Sequence, residues 1–269
     1  MTEISSTRSL NRVAEDARSL AALYDGAEIL RVVNVWDPVS ARVISDLPGT
    51  RAIATAGHSI AASHGYGDGE QIPLDLMLAA IARIVAATDH PVTADLDGGF
   101  GNAGETARRA MAIGVSGANI EDQLRPLSES VALVADVVAA GEQEGVAFAL
   151  NARTDAFVRG GDRPLDDIIA DAIERGKAYL DAGAQCIFVP GVLDADVTRA
   201  LVAGIGERKI SVIGLPGALS AAEYESLGVA RISYGPMPQN VALTALKRLG
   251  TSLLADGSIP DDTEQLNNF

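Results

Sequence analysis

The sequence predicts an α/β fold, a TIM (β/α)8 barrel, and three observations predict it. Eight short apolar, β-branched runs recur along the 269 residues. They are apolar on both faces, as strands of a buried parallel sheet are. Ala- and Leu-rich stretches with apolar residues every three or four positions lie between them, and eight such units in about 250 residues match the arithmetic of this barrel. No Gly/Pro/Ser-rich linker or break in composition interrupts the pattern, so residues 1–269 are expected to form a single domain. Pattern alone leaves an open doubly wound sheet as the alternative.

The elements follow in order. An extra helix over about 7–22 precedes the first strand, "LRVVNVW" at 30–36. The next strands are "AIATAG" (52–57), "PVTADLD" (91–97), "GANIED" (117–122) and "AFALNARTD" (147–155). The last three are "QCIFVPG" (185–191), "ISVIG" (210–214) and "ARISYG" (230–235). "LDLMLAAIARIVAAT", "SVALVADVVAAGEQEG", "LDDIIADAIERGKAYLDAG" and "LTALKRLGTSLLADG" read as amphipathic helices, and several end in Gly, a common helix stop. "AAEYESLG" is a shorter helix, and the tail "DGSIPDDTEQLNNF" is polar and peripheral.

Composition narrows the function. Hydrophobic residues make up 48% of the chain but aromatics only 4%, so the core must be aliphatic. A net charge of −15 repels nucleic acid and anionic membranes, yet a local Arg or a metal still admits a small anion. The single cysteine, Cys186, allows no internal disulfide or zinc cluster and reads as a small buried hydrophobe. No apolar run reaches the roughly 18 residues of a membrane span. "MTEISSTRSL" lacks the basic-then-apolar order of a signal peptide, so a cytoplasmic protein is expected.

A barrel of this kind carries its site at the C-terminal ends of the strands. There the charges gather on strands three to five: Asp95 and Asp97, then Glu121 and Asp122, then Asn151, Arg153 and Asp155. Residues two apart on a strand face the same way, so Asp95 and Asp97 can converge with Glu121 beside them. Three carboxylates in one small volume repel unless protons or a cation intervene, and oxygen-only ligands suit Mg²⁺ or Mn²⁺. Arg153 is placed to hold a substrate carboxylate bidentately. The plain alternative is that acids at strand ends cap the next helix and that Asp97 is only a turn residue. "GGFG" could be a phosphate cradle, but a glycine loop by itself is a weak signal; it fits better as backbone passing close to the metal site.

"TADLDGGFGN", "GANIEDQ" and "NARTDAF", at these spacings, resemble the isocitrate lyase/phosphoenolpyruvate mutase superfamily, and "VVNVWDPVSARV" and "AGHSIAASHGYGD" fit its first two strands. The resemblance covers roughly residues 8–250. It implies a TIM barrel, a homodimer or homotetramer exchanging its last helix, Mg²⁺, and small 2-oxo-acid or 2-hydroxy-acid substrates. By match, Asp95 is the direct metal ligand, while Asp68, Asp97 and Glu121 reach the ion through water. Arg153 matches the Arg that contacts substrate; Ala56, Gly57 and His58 match a loop that binds the substrate carboxylate through backbone amides. Trp36 and Asp97 are further expected substrate contacts, and the shared intermediate is an enolate of pyruvate type.

The chain also departs from the resemblance. Family lyases carry a lid after strand four with a Lys-Lys-Cys-Gly-His segment, whose Cys is the acid/base. Here "IEDQ" is followed by "LRPLSESVALVADVV", with no Cys, His or Lys. Only 30 residues separate Asp122 from Arg153, so the lid is expected to be short. The lid Asn of the phosphonate enzymes is missing, the usual loop Ser is Ala56, and "GLPGALSAAE" replaces an Asn- and Glu-bearing segment. His58 is therefore the leading substitute acid/base alongside Arg153 and Glu121, with Ser59 and Tyr66 behind it. A second histidine, His64, and the mouth residues Tyr234 and Asn240 complete the candidates.

Three functions stay open. The first is an Mg²⁺-dependent lyase making or breaking a C–C bond beside a 2-oxo acid. The second is an enzyme acting on a C–P bond. The third is a barrel that binds metal and oxo acid without catalysis.

Overall fold

The computed structural model describes residues 8–267. Its first strand is interrupted at Val33, giving β1 (Leu30–Val32) and β2 (Asn34–Val35). The others are β3 (Ile53–Thr55), β4 (Val92–Asp95), β5 (Gly117–Glu121), β6 (Ala149–Arg153), β7 (Cys186–Phe188), β8 (Ile210–Ile213) and β9 (Arg231–Ser233). All pairs are parallel, and each strand lies beside its sequence neighbour from β2 round to β9. β9 then pairs with β1, so the sheet closes through the split first strand. The eight expected runs are thus the eight staves of a TIM barrel, and the open-sheet alternative falls.

Ten helices are found among the described residues. The anticipated ones are α1 (Leu10–Tyr24), α4 (Leu74–Ala86), α6 (Leu127–Gln143), α7 (Leu165–Asp181), α9 (Ala221–Ser226) and α10 (Met237–Ala255). The predicted start of the first, residue 7, lies outside the described residues. Periodicity does not announce α2 (Pro38–Ser45), α3 (Gly57–Ser63), α5 (Ala103–Ala112) or α8 (Ala195–Ile205). The first two are about two turns long, too short for a period to emerge. Caps carry the signal in three of these four: Asp37 with Ser40 forms a capping box before Pro38, and Asn102 and Asp194 accept the next helix's free amides.

The helix α1 closes the N-terminal end of the barrel. Leu20 and Tyr24 insert among Leu30, Val32, Ala54, Ala149 and Cys186. Gly117 makes room for them, because a Cβ there would stand 2.5 Å from the Ala149 carbonyl and 2.9 Å from Leu20. Cys186 is buried and free, and burial pushes its thiol up to about 12, so it packs as the small hydrophobe expected. With that end plugged, the barrel opens only where the strands finish. The other end of the chain behaves differently: on α10 only Gln239 is buried, while Val241, Leu246 and Leu254 face outward.

Candidate active site

A cavity of about 420 Å³ opens at the C-terminal ends of the strands. Asp95, Asp97, Glu121, Arg153, His58 and Asp68 all line it, so the structure brings together every acid that the sequence assigned to a metal. β4 ends on Asp95, whose amide donates to Thr55 Oγ1 at 3.0 Å and whose Oδ2 accepts the Gly57 amide at 3.1 Å. A Cβ on Gly57 would lie 3.1 Å from that same oxygen, so glycine is what lets α3 begin so close to the acid. Asp97 follows in a left-handed turn at φ 47° and is buried.

The electrostatics state the problem. Burial, then Asp95, Glu121, Asp68 and Glu70, push the Asp97 carboxyl up to about 8. Burial raises Glu121 to about 7 despite the opposing pull of Arg153; Asp155 and Asp95 add to the rise. Asp95 is also raised, mainly by burial and further by Asp68, with Arg153 and the Gly57 amide opposing. Buried carboxyls titrating near neutrality want either protons or a cation.

Arg153 supplies part of the positive charge. Its Nη1 lies 2.7 Å from Glu121 Oε2 and its Nη2 2.8 Å from Asp155 Oδ1, with the guanidinium 6.0 Å over the Phe188 ring. Burial alone would lower its pKa; Glu121, Asp155 and Asp95 outweigh that and raise it. Asp155 is held in turn by Arg159 at 3.1 Å. As the side chain stands, Glu121 and Asp155 already engage three of its five N–H donors, so a substrate carboxylate would meet a guanidinium partly committed to these two acids.

The remaining candidates divide. His58 sits on the rim with Nδ1 3.4 Å from Asp68 Oδ2, both side chains half exposed. Gly57's amide is engaged by Asp95, and Ala56 caps α3 off the cavity wall. Trp36 leaves the cavity altogether and lines an apolar groove with Val39, Val43 and Pro238. His64 holds its own helix through Ile60 O at 2.9 Å, Ser59 is buried, and Tyr66 and Asn240 are exposed off the wall. Tyr234 is half-buried beside the mouth, its amide donating to Asn34 Oδ1 at 2.7 Å. "GGFG" is no phosphate cradle: the Phe100 amide is taken by Glu70 Oε1 at 2.6 Å, which ties this turn to the loop bearing Asp68.

The loop after β5 is the expected short one. Five residues, Asp122 to Pro126, connect it to α6. Asp122 faces away from the cavity and pins this turn. Its Oδ1 accepts the Leu124 and Asp155 amides, and its Oδ2 meets the Tyr179 hydroxyl at 2.6 Å and Arg175 at 3.2 Å. Sequence reasoning passed over Asn119 and Ser233, which also line the cavity, as does Asn34 at the end of the first strand. Spacing could have found Asn119, which stands two residues before Glu121 on the same strand face.

Comparison with known proteins settles the kinship. The model of the phosphoenolpyruvate phosphomutase family matches residues 20–254. The chain belongs to that family. It is 31% identical to an oxaloacetate decarboxylase of Rhodopseudomonas palustris over 90% of this chain and 86% of the relative. It is 31% identical to 2,3-dimethylmalate lyase of Eubacterium barkeri, over 89% and 86% of the two chains. A crystal structure of 2,3-dimethylmalate lyase, a PEP mutase/isocitrate lyase superfamily member, superposes with a TM-score of 0.81 at 25% identity, covering 93% of this chain and 91% of that one. The superfamily resemblance read from the motifs holds, and with it membership of a group of lyases and mutases.

The donor set fits a hard divalent ion. All four candidate ligands are carboxylates, and no nitrogen or sulfur ligand stands among them. Among the described residues no three acidic, His or Cys side chains close directly on one point. Mg²⁺ keeps several waters and binds through one or two carboxylates, so it does not require such a direct cage. A sign follows for stability. In the unfolded chain these acids titrate near 4, so raised native values make stability fall as pH rises from about 4 toward 8. In chelator, thermal melts should show this loss in the wild type and less of it in Asp97→Asn. Mg²⁺ should restore melting temperature most at the alkaline end.

Proposed function

We propose that the protein is an Mg²⁺- or Mn²⁺-dependent lyase acting on a small 2-oxo acid or substituted dicarboxylate, cleaving a C–C bond to leave a pyruvate-type enolate. The observation that carries this reading is the cluster of Asp95, Asp97 and Glu121, with Asp68 on the rim, around a 420 Å³ cavity at the barrel mouth. Asp95 would hold the ion directly, and the other three through water. When bound, the ion supplies Lewis-acid stabilisation of negative charge on the substrate's oxo oxygen. Arg153 places a positive charge opposite, and Glu121 and Asp155 fix its orientation.

The short β5–α6 connection favours one reaction within this class. Cleaving a 2-hydroxy acid needs a base to take the hydroxyl proton. Losing CO₂ from a 3-carboxylated 2-oxo acid needs none, only an electron sink and later a proton. A site without the lid Cys suits the second, and a relative at 31% identity is an oxaloacetate decarboxylase. His58 on the rim is the proton donor we favour, with Asp68 beside it. The family match itself keeps the C–P reading as the runner-up.

NMR of the protein with Mg²⁺ and a panel of oxaloacetate, isocitrate, 2-methylisocitrate, phosphonopyruvate and phosphoenolpyruvate tests this. We expect pyruvate from oxaloacetate at a rate that chelator and Asp95→Ala both reduce to the metal-only background. Shifted phosphorus signals would promote the C–P reading. Silence with retained oxalate binding would leave a binding barrel. Asp95→Ala should also abolish Mg²⁺-dependent oxalate binding while the fold survives.

The outward Val241, Leu246 and Leu254 suit a helix α10 that covers a second copy. Sedimentation should give a dimer or tetramer, and Leu246→Glu should lower that state.

A further inference from the structure

The inside of the barrel below the cavity is polar where such barrels are filled by branched aliphatics. Thr93, Asn119, Asn151, Ser211 and Arg231 are all buried there, on β4, β5, β6, β8 and β9. Arg231 is fully buried, and its Nε and Nη2 have no hydrogen-bond partner. It stands 5.9 Å over the ring of Tyr24, which comes from the plug helix α1. A guanidinium so placed is costly to bury, and a leucine would pack the same space without that cost. None of the site chemistry described so far uses it.

Its contact with Asn119 explains what it can do. Arg231 Nη1 donates to Asn119 Oδ1 at 2.9 Å, and Asn151 Nδ2 donates to the same oxygen at 2.7 Å. A guanidinium has donors only, so the oxygen of Asn119, not its nitrogen, must face it. Both lone pairs of that oxygen are then used. The NH₂ group is turned the other way, and Asn119 lines the cavity floor. In the sheet it lies beside Asp95 on β4, and Glu121 is the next residue up on its own face.

Two neighbouring donors at this depth already bond within the protein. Arg153 is shared by Glu121 and Asp155. Asn34 braces the mouth, giving Nδ2 to Thr55 O at 3.0 Å and taking the Tyr234 and Gly235 amides on Oδ1. Asn119 therefore offers a neutral N–H, uncommitted within the protein, in a wall otherwise dominated by acids.

We infer that Asn119 is a substrate-binding residue whose Nδ2–H donates to an oxygen of the bound 2-oxo acid, and that Arg231 is a positioning residue that aims it. This rests on the oxo-acid reading given above. A neutral donor suits that place, since a second cation would compete with the divalent ion for the same acids. An amide held from below also cannot rotate to present its oxygen, which would repel a carboxylate or enolate oxygen.

Oxalate titrated by calorimetry into the Mg²⁺-loaded protein tests the inference, with thermal melts as a check on folding. Asn119→Asp is the deciding variant. It keeps an oxygen for Arg231 and adds a buried ion pair, so a purely structural role predicts unharmed binding. The inference instead predicts roughly 10- to 100-fold weaker oxalate, the worth of one hydrogen bond to a charged group plus the new repulsion. Asn119→Ala should lose at least about tenfold. Arg231→Met should lose affinity too, and Arg231→Met on top of Asn119→Ala should cost nothing more, because Arg231 acts through Asn119. Full oxalate affinity in folded Asn119→Asp and Asn119→Ala would overturn the role of Asn119, and additive losses in the double variant would overturn that of Arg231. If the wild type itself bound no oxalate, the oxo-acid reading would fall, and this inference with it.

Discussion

The crowding of carboxylates at least partly withdrawn from water, their pKa values raised first by burial and then by mutual repulsion, is the constraint on which the rest of this barrel mouth depends. Asp95, Asp97 and Glu121 finish adjacent strands or the turn that follows, and all have raised affinity for protons. Burial weakens the screening by water, and Arg153 offsets only part of the charge. The surroundings read as provisions for holding them there. Gly57 brings an amide to Asp95, Glu70 ties the glycine turn down, and Asp155 with Arg159 secures Arg153. Such an arrangement favours bound protons near neutral pH, and a divalent ion, as proposed, would relieve it in their place.

The two faces of β5 and its following turn divide the work. Inward, Asn119 and Glu121 reach the cavity. Outward, Asp122 gathers two amides, a tyrosine hydroxyl and a guanidinium, and so fixes the five-residue connection to α6. Gln123 and Leu124 are held at φ 51° and 55° in that turn, a strain that the Asp122 contacts maintain. A turn locked this way has no length to fold over the mouth. The groups that do face the mouth are those of the strand ends and of the rim, His58 among them.

Much of this was legible in the sequence, for physical reasons. Strands buried on both faces show as continuous apolar runs, and acids that end adjacent runs must meet in a closed parallel barrel. Trp36 was misplaced because strand alternation stops counting where the strand stops. β2 ends at Val35, and Ser40 Oγ takes the Trp36 amide at 3.1 Å as the chain turns into α2. Asn119 was passed over because it sits mid-strand in an apolar run, although its place two residues before Glu121 puts it on the cavity face; the direction of its amide comes from Arg231 beneath it. Arg231, at the start of its strand, drew no comment from the sequence and is fully buried. Its environment comes from α1, some two hundred residues away in the chain, and no local pattern encodes that.

Anomalous diffraction from crystals grown with Mn²⁺ would test the central claim most directly. The account predicts one strong manganese peak at the barrel mouth, bonded directly to the Asp95 carboxylate. Asp97, Glu121 and Asp68 should face its coordinated waters. A peak at some other place, or none at the acids with Mn²⁺ in excess, would contradict it.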